Sequence, residues 1–216
     1  MQSIRQLENG CTNSHLSSTR TFLDNKYAIL ILAAGSSERL GRPKQLVKWN
    51  QTTLLNHTIQ EALSSKNTDL YVALGGNLTD VRSSISDEIT TIQISNWQDG
   101  MGQSISESLN QIPIQKYEAV IISTCDQPFI SKSIFEQLIN TFESKDSSII
   151  ISKYENSYGP PTLFGKSHFE SLKSLTGDNG GKKIVRKHFD EVSHIDFKKG
   201  DIDIDTEEDV KNLSSL

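Results

Sequence analysis

At 216 residues the chain is long enough for one ordinary α/β domain and short for two. Apolar residues make up 35% and charged residues 23%, a balance that can bury a core and excludes disorder throughout. The formal net charge of −5 excludes broad binding to nucleic acid, and the longest uncharged apolar run, from Tyr27 to Ala34, is far short of the roughly 18 residues that span a bilayer.

An anionic ligand must therefore be held by a local basic site. The two cysteines, Cys11 and Cys125, are unclustered and without metal-ligand spacing, which fits a reducing compartment and gives a cytoplasmic expectation. Residues 1–26 are rich in Ser, Thr, Asn and Gln, with no apolar segment like that of a signal peptide; they read as a polar N-terminal extension outside the fold.

From Tyr27 onward short apolar runs alternate with amphipathic ones. Residues 28–33 are unbroken by polar side chains, the pattern of a strand covered on both faces. Leu54, Leu55, Thr58, Ile59 and Leu63 share one helical face. Residues 70–74 read as a second strand, and residues 91–94 as a weaker, alternating one. A helix carrying Ile105, Leu109 and Ile112 follows, then a strand over 119–122, a helix carrying Ile134, Phe135, Leu138 and Phe142, and a strand over 148–151. This order predicts a three-layer, Rossmann-like, mostly parallel sheet with helices on both faces. After about residue 153 the order becomes irregular. Tyr158-Gly159-Pro160-Pro161 reads as a turn, and the segment as an insertion packed onto the same sheet, so residues 27–216 are expected to form a single domain.

Open parallel sheets bind ligands at the carboxyl ends of their strands, and three such ends carry unusual residues. After the first strand, Gly35, Ser36 and Ser37 can turn successive backbone N–H groups inward as an anion-binding nest, while Arg39, Arg42 and Lys44 add positive charge. The loop is neither a Walker A sequence nor G-x-G-x-x-G, and by composition alone a solvated basic turn explains it equally well. Asp126 ends the strand over 119–122; it is placed either to cap the helix starting near Ser131 or to hold Mg²⁺. Asp201, Asp203 and Asp205 alternate with isoleucines and would share one face at strand period, either around a cation or as a polar face before Thr206 as a helix N-cap.

The run Leu32-Ala33-Ala34-Gly35-Ser36-Ser37-Glu38-Arg39-Leu40-Gly41-Arg42-Pro43-Lys44 resembles the signature loop of MobA-like nucleotidyltransferases, L-A-A-G-x-S-x-R-x-G-x-x-K, and within them that of molybdenum cofactor cytidylyltransferases. Four further blocks agree in order: Asn96-Trp97-Gln98-Asp99-Gly100-Met101-Gly102-Gln103-Ser104, Cys125-Asp126-Gln127-Pro128, Gly177-Asp178-Asn179-Gly180 and Asp203-Ile204-Asp205-Thr206. The resemblance covers nearly everything after Lys26. Trp49-Asn50-Gln51 departs from it, standing where a glycine turn is usual, and residues 1–26 have no counterpart.

The resemblance implies a nucleotide-diphospho-sugar transferase-like fold and attack of a substrate phosphate on the α-phosphorus of a nucleoside triphosphate, CTP or GTP, releasing pyrophosphate. On that reading Ala33, Ala34, Gly35, Ser36 and Ser37 bind the nucleotide, with Arg39 and Lys44 on its phosphates and Gly100 and Ser104 at the base. Asp126 holds Mg²⁺ with Asp203 or Asp205, the family pattern favouring Asp203. Arg39, Lys44 and Asp126 form the catalytic set. Ala-Ala-Gly rather than Ala-Gly-Gly resembles the cytidylyl form, although Ser104 serves as well as a helix-start hydroxyl. The acceptor implied is molybdopterin-type cofactor, with a molybdoenzyme or its chaperone as a further partner.

Lys182, Lys183, Arg186 and Lys187 form either an acceptor-phosphate patch or a solvated helix face. His57, His168, His188 and His194 show no metal-ligand spacing and read as surface or core packing, Cys125 as a buried neighbour of Asp126, and Trp97 as a core or loop anchor. Two other functions compete. One is nucleotidyl transfer to another small phosphate, such as a sugar or polyol phosphate. The other is a non-catalytic delivery protein, which would tolerate loss of Arg39, Lys44 or Asp126.

Overall fold

The computed structural model describes residues 26–76 and 78–213; Cys11 and nearly all of the polar N-terminal stretch lie outside the described residues. Seven strands form one sheet: β1 (Tyr27–Ala33), β4 (Thr68–Leu74), β5 (Thr90–Gln93), β6 (Ala119–Thr124), β7 (Ile149–Lys153), β8 (Tyr158–Gly165) and β9 (Val192–Asp196). Their order is β5-β4-β1-β6-β8-β7-β9. Neighbours pair in parallel except β8, which runs antiparallel to both β6 and β7. Two short strands, β2 (Lys48–Trp49) and β3 (Thr52–Thr53), form a hairpin apart from this sheet. Its turn places Asn50 and Gln51 at φ 45° and 66°, a left-handed pair that a glycine would adopt with less strain.

Every residue of β1 is buried, because helices cover both of its faces. Ile29 and Ile31 enter a core with Leu55 and Ile59 of α1 (Leu54–Leu63) and Phe135 and Leu138 of α4 (Lys132–Ser144). Ala28, Leu30 and Leu32 enter the opposite core with Ile105 and Leu109 of α3 (Met101–Gln111) and Phe169 and Leu172 of α5 (Phe169–Lys173). Alternation at period two thus feeds two cores from one strand. The expected three-layer, mostly parallel Rossmann-like sheet is present. Three further short helices among the described residues are α2 (Leu78–Ser83), α6 (Lys182–Lys187) and α7 (Glu207–Leu213).

Three expectations are corrected. The segment after residue 153 is not an insertion laid on the sheet: residues 158–165 form β8 itself, wedged between β6 and β7. Pro160 and Pro161 mark no turn. They fall where the β7–β8 register shifts, a bulge where proline's missing N–H breaks no ladder. Residues 201–205 are not a strand either; they run irregularly across the carboxyl edge, tied there by Ile204 N donating to Asp126 O at 3.0 Å.

Among the described residues, no helix is long and apolar enough to cross a membrane.

Candidate active site

The loop after β1 is shaped from beneath by one side chain. Gln45, with no exposed surface, donates through Nε2 to Ala33 O at 2.9 Å and to Gly35 O at 3.0 Å. Ser37 adopts φ 61°, and its Oγ accepts from Lys44 N at 3.0 Å, closing the loop on itself. Gly41, at φ 72°, supplies the second left-handed position. Gly35 is different: a Cβ there would meet no protein atom within 4 Å, so the room above it belongs to the cavity. At the end of β4, Gly76 N donates to Ala34 O at 2.8 Å, and a Cβ on Gly76 would lie 3.1 Å from Ser36 Cα. The glycine lets the loop lie close against the end of β4.

Charged groups from three distant segments converge beside this loop. Lys44 Nζ donates to Asp126 Oδ2 at 2.6 Å and to Asp205 Oδ1 at 2.8 Å. Arg39 Nη2 donates to Asp205 Oδ2 at 2.6 Å. Burial disfavours the Lys44 ammonium, but the Asp126 charge and the hydrogen bonds to Asp126 and Asp205 outweigh it, so its pKa is raised and it stays charged. Asp203 reaches solvent through the cavity, yet surrounding protein, then the Asp126 and Asp205 charges, push its carboxyl up to about 7. Burial and then Asp126 push the Cys125 thiol up to about 12, leaving it an inert neighbour. Arg42 points elsewhere, pairing with Glu207 at 2.7 Å on the surface.

Asp126 does not cap α4, whose first N–H, that of Lys132, donates instead to Glu61 Oε2 at 2.7 Å. Thr206 does cap α7: Asp209 N donates to its Oγ1 at 3.2 Å, and Asp209 Oδ2 accepts in return from Thr206 N at 2.8 Å and Asp205 N at 3.1 Å. The cap reading therefore holds, and the same turn aims Asp205 at Lys44.

Two cavities open on the cluster. The first, of about 470 Å³, is lined by Ala34, Gly35, Ser36, Ser37, Trp97 and Ser104 among others, a size suited to a small ligand. The second, of about 750 Å³, is walled by residues such as Tyr154, Tyr158, Phe164, Lys182, Lys183 and Arg186. They share Arg39, Lys44, Asp126 and Asp205, so a ligand in each would meet at the charged cluster.

Asp126 Oδ1 is buried and takes no hydrogen bond, an unusual state for a carboxylate oxygen. With Asp203 and Asp205 beside it, the donors are hard oxygens that suit a cation such as Mg²⁺ or Mn²⁺. This chain's residues fit such an ion.

The model of the MobA-like NTP transferase domain family matches residues 29–192. The chain belongs to that family. Rv0371c of Mycobacterium tuberculosis H37Rv is 26% identical, with a TM-score of 0.78 over 89% of this chain and 98% of that one. A structure of Rv0371c in complex with manganese gives 25% identity and a TM-score of 0.74 over 88% of this chain and 100% of that one. CMP:2-keto-3-deoxy-manno-octonic acid synthetase complexed with CTP shares the fold at 12% identity, with a TM-score of 0.70 over 88% of this chain and 98% of that one. Among curated proteins, the bifunctional protein GlmU of Francisella tularensis is 28% identical over 163 residues, which make up 74% of this chain and 35% of the relative. This chain thus spans about a third of that relative's length.

Of the residues singled out from the sequence, Ala34, Gly35, Ser36, Ser37, Arg39, Lys44, Gly100, Ser104, Asp126 and Asp205 line the first cavity, and Asp203 the second. Ala33 is not brought to either; it is packed in the core and its carbonyl serves Gln45. Gly100, at φ 102°, owes its missing side chain to the backbone of Gly177 and Asp178, which a Cβ would strike. Ser104 Oγ donates to Gly100 O at 3.3 Å within the first turn of α3 while facing the cavity. Sequence reasoning missed Gln45, Gln127 and Asp178 as working parts. Gln127 Nε2 lies 2.9 Å from Tyr154 Oη and 2.6 Å from Gly200 O, joining the end of β6 to the second cavity's wall. Each missed residue stands inside or beside a motif already noted, which was the available signal.

Proposed function

We propose that residues 27–216 act as one Mg²⁺-dependent nucleotidyltransferase domain that transfers CMP from CTP to the terminal phosphate of molybdopterin-type cofactor. The observation that carries this reading is the shared wall: two cavities with different linings meet at Arg39, Lys44, Asp126 and Asp205. An oxygen of the acceptor phosphate attacks the α-phosphorus of CTP, a new P–O bond forms, and the bond to the bridging oxygen breaks, its electron pair leaving with pyrophosphate. The acceptor phosphate is already anionic near neutral pH, so alignment and charge neutralisation replace a general base.

In this reading the loop from Ala34 to Ser37 holds the triphosphate, and Gly35 leaves room for its close approach. Arg39 offers a forked donor to the leaving pyrophosphate, and Lys44 a point charge at the α-phosphate, both turning from the carboxylates that hold them in the free protein. Bound by Asp126 and a second carboxylate, Mg²⁺ would supply further neutralisation of the reacting phosphate. Asp205 is already shared by Lys44 and Arg39, whereas Asp203 carries no ion pair among the described residues, which supports Asp203 as the second ligand. On the acceptor side, Tyr154 and Tyr158 offer ring faces while Lys182, Lys183 and Arg186 offer charge, a mixture suited to a phosphorylated heterocycle. A molybdoenzyme or its chaperone would receive the product.

The test is pyrophosphate release from the full chain with Mg²⁺, molybdopterin cofactor and each nucleoside triphosphate in turn. Release that needs the cofactor and is fastest with CTP is the expected result. Fastest release with GTP would overturn the base assignment; release only with a sugar or polyol phosphate would overturn the acceptor. No release with any acceptor would favour a delivery protein.

A further inference from the structure

At the sheet edge opposite the charged cluster, three segments distant in sequence bring four polar side chains together. His168 closes a 3-10 turn (Lys166–His168) directly after β8, and His188 follows the last turn of α6. Glu191 closes a second 3-10 turn (Phe189–Glu191) just before β9, and Ser148 stands just before β7. His188 Nδ1 lies 2.8 Å from Glu191 Oε1, and His168 Nε2 lies 3.3 Å from Glu191 Oε2. One ligand atom from each of the three residues lies within 4.8 Å of the others. His188 and Glu191 stand three residues apart, and the pairing of β8 with β7 and of β7 with β9 brings His168 to them.

We propose that His168, His188 and Glu191 form a binding site for a zinc-class divalent ion, separate from the oxygen-lined site at Asp126. Two imidazoles and one carboxylate are a donor set that zinc takes in tetrahedral sites, whereas Mg²⁺ prefers oxygen donors and retained waters. Two atoms bound to one tetrahedral zinc at about 2.1 Å stand roughly 3.4 Å apart. The two rings stand 2.8 and 3.3 Å from different oxygens of Glu191, and with one ligand atom from each residue the set lies within 4.8 Å, a span that rotation of His188, whose side chain is 27% exposed, can close. His168, 3% exposed, is the fixed member, while Glu191, 40% exposed, leaves a side open for water as a fourth ligand. Ser148 Oγ lies 2.6 Å from His168 Nε2 and donates to Glu191 Oε2, so in the free protein it holds together the ligand atoms that the ion would take. The ion would clamp the end of α6 against the exit of β8 and the entry of β9. Lys182, Lys183 and Arg186 of α6 wall the second cavity, so the clamp would steady that wall from behind without touching either ligand.

The full chain, stripped with a chelator and returned to buffer with excess Mg²⁺ to occupy oxygen-lined sites, is titrated with Zn²⁺. The expected result is uptake of one equivalent and a Tm that rises with Zn²⁺ concentration. His188→Ala and Glu191→Gln should each weaken uptake at least about tenfold, and Asp126→Asn should leave it unchanged. His188 and Glu191 are both partly exposed, so these variants test the ligands without hollowing the core. Absence of uptake, uptake that survives His188→Ala, or uptake lost in Asp126→Asn would each overturn the proposal.

Discussion

The two cavities that meet at Lys44 and Asp126 are built in opposite ways. The first takes its floor and basic residues from one unbroken stretch, residues 34–44, closed from within by Ser37 and from beneath by Gln45. The second takes its wall from β8, the residues around Asp178, and α6, joined through Gln127. The contiguous side depends on local backbone geometry and the assembled side on tertiary packing. On the proposed assignment, changes on the first side should therefore move chemistry and nucleotide affinity together, and changes on the second should move acceptor affinity alone.

The largest effect is expected at the shared wall. On the proposed mechanism Asp126→Asn should slow pyrophosphate release by on the order of 10³-fold, because it removes a carboxylate that would hold the metal at a charged transition state. Near-normal turnover would remove Asp126 from the chemistry. Lys44→Ala should come next, with a loss of roughly 10²-fold, and Arg39→Ala should lose less because its side chain is 72% exposed. Arg39→Lys should recover only part of the activity, since a point charge does not replace a fork; full recovery would reduce Arg39 to a general positive charge.

Gln45→Leu tests whether local geometry governs the first side. It keeps the approximate volume but strips Ala33 O and Gly35 O of their donor, a change of about 1–3 kcal/mol. A lower Tm with a raised KM for CTP is expected; an unchanged KM would mean that the loop holds its shape without the pin. The smallest effect is expected for Arg186→Ala. Loss of one partly solvated charge should raise the acceptor KM by roughly fivefold, corresponding to about 1 kcal/mol. The KM for CTP should stay unchanged. Movement of the CTP constant instead would break the division between the two sides.

Legibility in the sequence followed the same division. The apolar run of β1, the helical faces of α1 and α4, and the signature loop depend on neighbours in the chain, and each stands close to where its pattern placed it. β8 was hidden because Tyr158-Gly159-Pro160-Pro161 carries turn-forming residues; only the register shift against β7 makes room for prolines inside a sheet. β9 was hidden for another reason. As an edge strand it buries only Ile195, so Val192-Ser193-His194-Ile195-Asp196 shows too little contrast to stand out. Asp203 and Asp205 were found by motif, but their expected strand was not, since one backbone bond from Ile204 and the Thr206 cap fix them in irregular chain. Gln45 shows the limit most plainly: a polar residue wholly enclosed by the loop it supports reads in sequence as an ordinary surface amide.

The α7 cap carries a consequence for the order in which this protein is made. Asp205 reaches Arg39 and Lys44 across 166 and 161 residues of sequence, and Glu207 reaches Arg42 across 165. A nascent chain that has emerged only as far as β9 holds the whole phosphate-loop sequence and most of the sheet. It still lacks the carboxylates that anchor two of the loop's three basic side chains, and it lacks Asp205 as the second partner of Lys44. Contacts of such long separation come only after the intervening chain has been gathered in. The loop after β1 is thus among the last parts to be finished, and a chain arrested before Asp205 would carry the signature without its grip.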